Sequence, residues 1–216
     1  MTRSRIIPIV EGHGEETAVP LLLDRWLRFR RFERFFEVPE RAVNAKGSGN
    51  LKAAYNRRRH LGIEHYVEAA VRGGADAILV ILDADDECVA ANPAGGLGPR
   101  LLSRARSVTP HLPLGVVVAN REYEAWFLAS LTALRSRGHF ESGVRLASPL
   151  QAETPRDCKG LVEKLLGVPY EERVHQTQLT GSISFTAPMA RRAPSFGKLM
   201  RDLERITRET RMRSAA

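Results

Sequence analysis

One run of apolar residues constrains the fold of this chain more than any other feature. Ile78, Leu79, Val80, Ile81 and Leu82 follow one another without a polar residue between them. A run of this length and composition is typical of a strand that is covered on both faces, as in a parallel sheet between two layers of helices. The sequence therefore predicts an α/β fold built around this strand.

The apolar run ends abruptly in acidic residues. Asp83, Asp85, Asp86 and Glu87 follow it, and only Ala84 separates the first two aspartates. Ligands of open α/β sheets bind at the carboxyl ends of the strands, where these acids would lie. Crowded carboxylates repel one another, and a hard cation such as Mg²⁺ between them relieves the repulsion. The sequence thus indicates a metal site, with a simple helix cap as the alternative.

Three more strand-like runs alternate with helical patterns along the chain. The runs cover residues 5–10, about 35–38 and 114–119. The helical patterns begin near residue 15 and continue at 51–72 and 101–108. This alternation predicts a mostly parallel sheet with helices on both faces.

The last third of the chain carries weaker patterns, and we treat it as an extension. We place the α/β core in residues 1–135 and a C-terminal extension, packed on that core, in residues 136–216. Within the extension we expect a helix at 160–166, a loop or short hairpin at 175–185, and a basic final helix.

Glu11 stands in the turn after the first strand-like run. If the strands are parallel, this places Glu11 at the same sheet edge as Asp83 and Asp85, where it adds a third acid to an oxygen-rich site. The turn also contains Gly12 and Gly14, but the phosphate-binding patterns GxxxxGK[ST] and GxGxxG are both incomplete. Taken alone, a glutamate here is equally typical of a solvated helix start.

The positive charge of the chain favours a polyanionic partner, with nucleic acid as the first candidate. There are 33 lysines and arginines against 25 acidic residues, a net charge of +8. Arginines also alternate with aromatic residues around 30–36. The basic residues that we assign to nucleic-acid binding lie in the 51–72 helix and at the final helix: Arg57, Arg58, Arg59, Arg191, Arg192 and Lys198. Each of these is equally typical of the solvated side of an amphipathic helix.

The acidic motifs resemble those of a known fold. A glutamate after the first strand, Glu11, and a D-x-D motif after a later strand, Asp83 and Asp85, resemble the Toprim fold of topoisomerases, primases and OLD-type nucleases. Five segments extend the resemblance to a family of small Toprim-like proteins of unknown function: VEGHGEE, LDADDE, EAWFLA, CKGLVEKLL and APSFGKL. The resemblance implies a divalent metal, Mg²⁺ or Mn²⁺, held by Glu11, Asp83 and Asp85.

The resemblance also implies further site residues. Asp86 and Glu15 are expected as additional ligands or as acids behind the ligands, and Glu124 follows the 114–119 strand at the same edge. Independently of the resemblance, Lys159 follows Asp157 at a helix start, where it is a candidate to contact a phosphate or to balance the acids, although an ordinary surface lysine is more typical of this position.

The function that these residues predict is that of a metal-dependent nuclease or nuclease subunit. Phosphodiester hydrolysis needs an activated water and neutralised phosphoryl charge, which bound Mg²⁺ supplies. The resemblance to OLD-type nucleases implies a role in phage or mobile-element defence with a separately encoded ATPase. The alternatives are a non-catalytic binding module for nucleic acid or protein, and a phosphotransferase, which the absence of a hydroxyl residue after DADD disfavours. The sequence shows neither a tyrosine-nucleophile domain nor an ATPase motif, which argues against topoisomerase activity.

Cysteine use and hydropathy indicate where the protein works. The two cysteines, Cys88 and Cys158, are far apart and lack metal-ligand spacing. The apolar run at the N-terminus is too short for a signal peptide, and no run approaches the ~20 residues of a membrane span. We expect a cytoplasmic protein with reduced thiols that does not bind membranes. The sequence leaves open whether the protein forms a homo-oligomer.

Overall fold

The computed structural model describes residues 2–84, 96–144, 146 and 151–214. Five strands form its sheet: β1 (Ser4–Val10), β2 (Phe36–Glu37), β3 (Val43–Asn44), β4 (Ala77–Asp83) and β5 (Leu114–Ala119). The order is β2-β1-β4-β5, and β3 pairs with the later part of β1. Every pairing between these strands is parallel. The predicted α/β fold with a mostly parallel sheet is therefore confirmed.

Helices cover both faces of the sheet. They are α1 (Glu15–Phe29), α2 (Ser48–Lys52), α3 (Ile63–Arg72), α4 (Leu97–Val108), α5 (Ala125–Ala129), α6 (Leu131–Ser136), α7 (Cys158–Leu166), α8 (Thr177–Thr180), α9 (Ala187–Arg192) and α10 (Pro194–Ser214), with a 3₁₀ turn at Arg57–Arg59 and a π-helical turn at Glu172–Gln176. Among the residues that the structure describes, none of these helices is long and apolar enough to cross a membrane.

The apolar run in β4 is uninterrupted because both faces of the strand are buried. Leu79 and Ile81 point into a core shared with α1, α5 and α10. Ile78, Val80 and Leu82 point into a second core shared with α3 and α4. The central strand thus fixes a three-layer arrangement of helices, sheet and helices.

The C-terminal extension packs directly on the sheet through α10. Phe196, Leu199, Leu203 and Ile206 are fully buried in the same core as α1. Residues on both sides of position 135 therefore share one hydrophobic core. The division into a core and a C-terminal extension stays a prediction.

The helix predicted for residues 51–72 is wrong as a single element. The structure contains α2, the 3₁₀ turn and α3 in its place. His60 and Gly62 adopt left-handed backbone conformations, with φ of +57° and +89°. The chain reverses there, and Asn56 pairs with Leu61 in an isolated antiparallel bridge.

The loop or hairpin predicted for residues 175–185 is wrong for residues 175–180, whereas residues 181–185 form a turn and irregular backbone. The π-helical turn and α8 occupy its first half, and α8 packs on α1. The buried side of this segment is partly polar, because Gln176 and Thr180 are almost fully buried together with Leu179 and Ile183. Polar residues on the inner face hide the helical pattern from a hydrophobicity analysis.

Candidate functional site

Glu11 and Asp83 lie at the carboxyl ends of two neighbouring parallel strands. Pairing of β1 with β4 sets Val10 opposite Ile81, so both acids follow the paired segment at one edge. The backbone N–H of Asp83 donates a 2.9 Å hydrogen bond to Oε2 of Glu11. The structure thus holds the carboxyl group of Glu11 against the end of β4.

The carboxyl group of Asp83 is buried among other acids. Only 7% of the residue is exposed. Burial raises the pKa of Asp83 well above its ordinary value, and the nearby carboxyl groups of Glu124, Glu11 and Glu15 raise it further. Four acids therefore share one electrostatic environment at this sheet edge.

Glu15 comes from the first turn of α1 and is held by the C-terminal extension. Nε2 of Gln176 donates a 3.0 Å hydrogen bond to Oε1 of Glu15. The glycines before α1 make room for this pair. A Cβ on Gly12 would lie 2.7 Å from Oε2 of Glu15, and a Cβ on Gly14 would overlap Oε1 of Gln176. The glycines thus admit close side chains here, which explains them without a phosphate cradle.

Glu124 precedes α5 and is the most deeply buried of the four acids. It is 1% exposed. Its Oε1 accepts a 2.8 Å hydrogen bond from the hydroxyl of Tyr170, while its Oε2 has no hydrogen-bond partner among the described residues. Burial raises the pKa of Glu124 to about 7, although Lys159 opposes this shift. An unpartnered buried carboxylate oxygen is the kind of atom that a cation satisfies.

Lys159 is the cation of the site. Its backbone N–H donates to Glu122, and its Nζ lies 2.6 Å from Oε1 of Glu172. Burial opposes the charge of this ammonium group, but Glu124, Glu172 and Asp83 together raise its pKa. Lys159 therefore stays protonated beside the acids.

The other predicted ligands fall outside what the structure covers. Asp85 and Asp86 lie outside the described residues. Within the described part of the chain, no group of three or more histidine, cysteine, aspartate or glutamate side chains is arranged to hold a metal ion. The donors present still suit a hard divalent cation chemically, because they are carboxylates that repel one another and one oxygen of Glu124 is unpartnered.

The predicted nucleic-acid residues do not form one patch. Arg57, Arg58 and Arg59 form the exposed 3₁₀ turn between α2 and α3, on one face of the sheet. Arg191 and Arg192 end α9, which packs with α10 on the other face.

Lys198 has structural contacts. Its Nζ donates to the carbonyl oxygen of Val116 at 2.8 Å and to Asp202 at 2.5 Å. These contacts tie α10 to β5.

Three contacts of the site come from residues that the sequence analysis does not single out. Tyr170 orients Glu124, Gln176 orients Glu15, and Glu172 pairs with Lys159. Tyr170, Glu172 and Gln176 lie within or next to the π-helical turn, a type of distortion that often occurs at functional sites. No periodic pattern marks these residues in the sequence.

The fold and the site define a class of protein, a parallel α/β domain with buried acids clustered at the carboxyl edge of its sheet. Within this class, the chain belongs to the family of the domain of unknown function DUF4276, whose model matches residues 10–204. Membership in a family of unknown function agrees with the resemblance seen in the sequence. The relationship of this family to Toprim proteins stays a prediction.

Comparison with individual proteins adds little to this family membership. No curated protein matches the chain. A similar solved structure is the C-terminal region of the Burkholderia pseudomallei OLD protein, with 17% sequence identity and a TM-score of 0.45. The similarity covers 97% of this chain and 100% of the other. A similarity at this level assigns no function.

Proposed function

We propose that the protein is a divalent-metal-dependent nuclease or a nuclease subunit. The observation that carries this proposal is the convergence of Glu11, Glu15, Asp83 and Glu124 at one sheet edge, with Lys159 beside them. Acids that raise one another's pKa in a buried site are typical of functional centres.

Glu11, Asp83 and Asp85 would hold Mg²⁺ or Mn²⁺, with Asp86, Glu15 and Glu124 as further ligands or as acids behind the ligands. Asp85 and Asp86 follow β4 directly in the sequence. When bound, the ion supplies charge neutralisation at the phosphoryl group and a lowered pKa for an attacking water.

The chain's own residues prepare the site for a phosphodiester. The ammonium group of Lys159 lies beside Glu124 and Asp83, where it can donate to a non-bridging phosphate oxygen. Tyr170 holds one oxygen of Glu124, and the other oxygen has no hydrogen-bond partner in the part of the chain that the structure describes. Gln176 holds Glu15 in the same way. Such supporting hydrogen bonds fix the orientation of ligands before the ion binds.

The test is cleavage of labelled single-stranded and duplex DNA and RNA in Mg²⁺, Mn²⁺ or EDTA. We expect cleavage only with metal, and we expect Asp83→Asn to lower the rate by a factor on the order of 100 or more. Asp24→Asn is the matched control, because Asp24 is a half-exposed partner of Arg28 on α1. Cleavage that survives EDTA or Asp83→Asn would contradict the metal mechanism.

A second candidate function is a non-catalytic Toprim-like module that binds nucleic acid or protein. The observation that favours it is the lack of a metal-holding group of three or more side chains within the described residues. This candidate predicts no cleavage by the unmodified protein under any of the metal conditions, with nucleic-acid or protein binding retained.

We further propose that a separately encoded ATPase controls the activity, in defence against phage or mobile elements. The support is the resemblance of the acidic motifs to those of OLD-type nucleases. An ATPase encoded beside this protein should co-purify with it and should change the cleavage rate when ATP is added. No association and no change in rate would count against this role.

A further inference from the structure

The C-terminal end of α10 is surrounded by three adjoining cavities. Their volumes are about 560, 520 and 820 Å³. Arg211 lines the first and the third, and Met212 lines the first and the second. The first cavity thus shares one lining residue with each of the other two, and together the three make up one surface around this helix end.

Arginines dominate the lining of this surface. The cavities contain eight arginines, which we call the arginine belt: Arg3, Arg30, Arg34, Arg106, Arg205, Arg208, Arg211 and Arg213. Three acids line them, Asp76, Glu204 and Glu209. Eight positive and three negative charges leave an excess of five, compared with +8 for the whole chain. The lining of these cavities is thus strongly positive.

The acids of this surface already have partners. Glu204 pairs with Arg30 at 3.0 Å, and Glu209 pairs with Arg205 at 2.9 Å. Asp76 accepts a 2.7 Å hydrogen bond from the backbone N–H of Arg5. The carboxylates are therefore engaged. Arg3 also pairs with Glu37 at 3.2 Å, and the remaining arginines of the belt are available to an external anion.

Two arginines are held on an aromatic ring. The guanidinium carbons of Arg34 and Arg211 lie 4.6 and 4.4 Å from the ring centre of Phe35. Arg211 also lies 5.7 Å from the ring centre of Phe32. Stacking on a ring fixes the guanidinium plane and leaves its N–H edge free, the arrangement that suits bidentate binding of phosphate.

The arginine belt lies at the sheet edge opposite the acidic site. It adjoins Ser4 at the start of β1 and Leu114 at the start of β5. Because all the strands are parallel, their carboxyl ends with Glu11 and Asp83 lie at the far edge. A strand of seven residues such as β4 spans about 20 Å. An anion on the belt is therefore remote from the acids.

We propose that the arginine belt binds a single strand of nucleic acid through its phosphates. Arginines interleaved with aromatic rings in a groove are typical of surfaces that follow a nucleic-acid strand. The cations of the belt are all arginines and line concave cavities, which suits a strand better than a flat lipid surface. The arginine belt and the proposed nuclease site would bind the same class of ligand, nucleic acid. Binding at the belt does not depend on catalysis at the acidic site.

The test is fluorescence anisotropy of a labelled single-stranded DNA or RNA in EDTA, where the proposed cleavage is suppressed. The first variant removes three exposed charges from α10: Arg208→Gln, Arg211→Gln and Arg213→Gln. The second removes three from other elements of the belt, so its effect does not depend on α10: Arg3→Gln, Arg34→Gln and Arg106→Gln. The control removes three exposed charges from residues that line none of these cavities: Arg72→Gln, Arg137→Gln and Lys164→Gln.

We expect each belt variant to raise Kd at least tenfold and the control to raise it less than threefold. Loss of three phosphate contacts should also lower the slope of log Kd against log salt concentration by about 2. An unchanged Kd in both belt variants, or an equal loss in the control, overturns the proposal. So does belt-dependent binding to phosphatidylserine vesicles without binding to the oligonucleotide. Asp83→Asn should leave this affinity intact, so failure of the nuclease proposal is seen separately.

Discussion

Glu124 combines near-complete burial with one side-chain hydrogen bond to another described residue, that from Tyr170. A carboxylate in this position loses its hydration without full compensation, so the charged form is disfavoured. This is the physical cause of its pKa of about 7. At the residue scale, the site therefore stores unfavourable electrostatic energy that a cation would relieve.

The stability of the metal-free protein should depend on pH through Glu124. Its pKa rises from 4.5 to about 7 on folding, so its contribution to stability is fully present below pH 4.5 and is lost as the pH rises through 7. A shift of this size corresponds to about 3 kcal/mol. Glu124→Gln removes the titrating group and keeps an oxygen that accepts from Tyr170.

The measurement is urea unfolding in EDTA across this pH range. Relative to Glu124→Gln, the unmodified protein should lose about 3 kcal/mol of unfolding free energy between pH 4.5 and a pH above 7. Parallel stability curves for the two proteins would mean that Glu124 does not titrate in this range.

At the scale of elements, local patterns predicted the sheet better than the site. The apolar runs of β4 and β5 identify both strands, because burial on two faces requires an apolar residue at every position. Glu11 could be placed beside Asp83 because parallel strands end at one edge. The supporting contacts could not be predicted. Gln176 reaches Glu15 across 161 positions of sequence, and neither residue carries a pattern that indicates the other.

The turn before α1 and the π-helical turn should be coupled energetically. Gly14 has φ of −65° and ψ of −44°, which alanine adopts without strain. Gly14→Ala should nevertheless cost about 1–3 kcal/mol, because the new Cβ overlaps the side chain of Gln176. In a Gln176→Ala background the same change should cost much less, because only the 3.2 Å contact with Cβ of Glu172 remains.

A double-mutant cycle by chemical denaturation measures this coupling. We expect an interaction free energy of at least ~1 kcal/mol between the two positions. Additive effects would show that the overlap with Gln176 does not limit the residue at position 14.

At the scale of the whole molecule, one core joins the first and last thirds of the chain. Oγ of Ser195, at the start of α10, accepts a 2.8 Å hydrogen bond from Nε1 of Trp126 in α5. Leu203 is fully buried in the core that also contains Trp26 of α1. We therefore expect the described parts of the chain to unfold as one cooperative unit.

Leu203→Ala should cost about 2–5 kcal/mol, since it leaves a cavity under the sheet. The loss should be equal by far-ultraviolet circular dichroism and by fluorescence of the two tryptophans, both of which precede residue 136. Met212→Ala on the same helix is the control, because Met212 is 68% exposed. A tryptophan transition that Leu203→Ala leaves unmoved would show that the extension unfolds separately.

The central claim is that the buried acids at the sheet edge hold a divalent ion. Titration of the metal-free protein with Mn²⁺, followed by calorimetry, tests it most directly. We expect one or two ions per chain, with affinity lowered at least tenfold by Asp83→Asn and by Glu124→Gln and unchanged by Asp24→Asn. Equal Mn²⁺ affinity in all four proteins, or no binding by the unmodified protein, would contradict the claim.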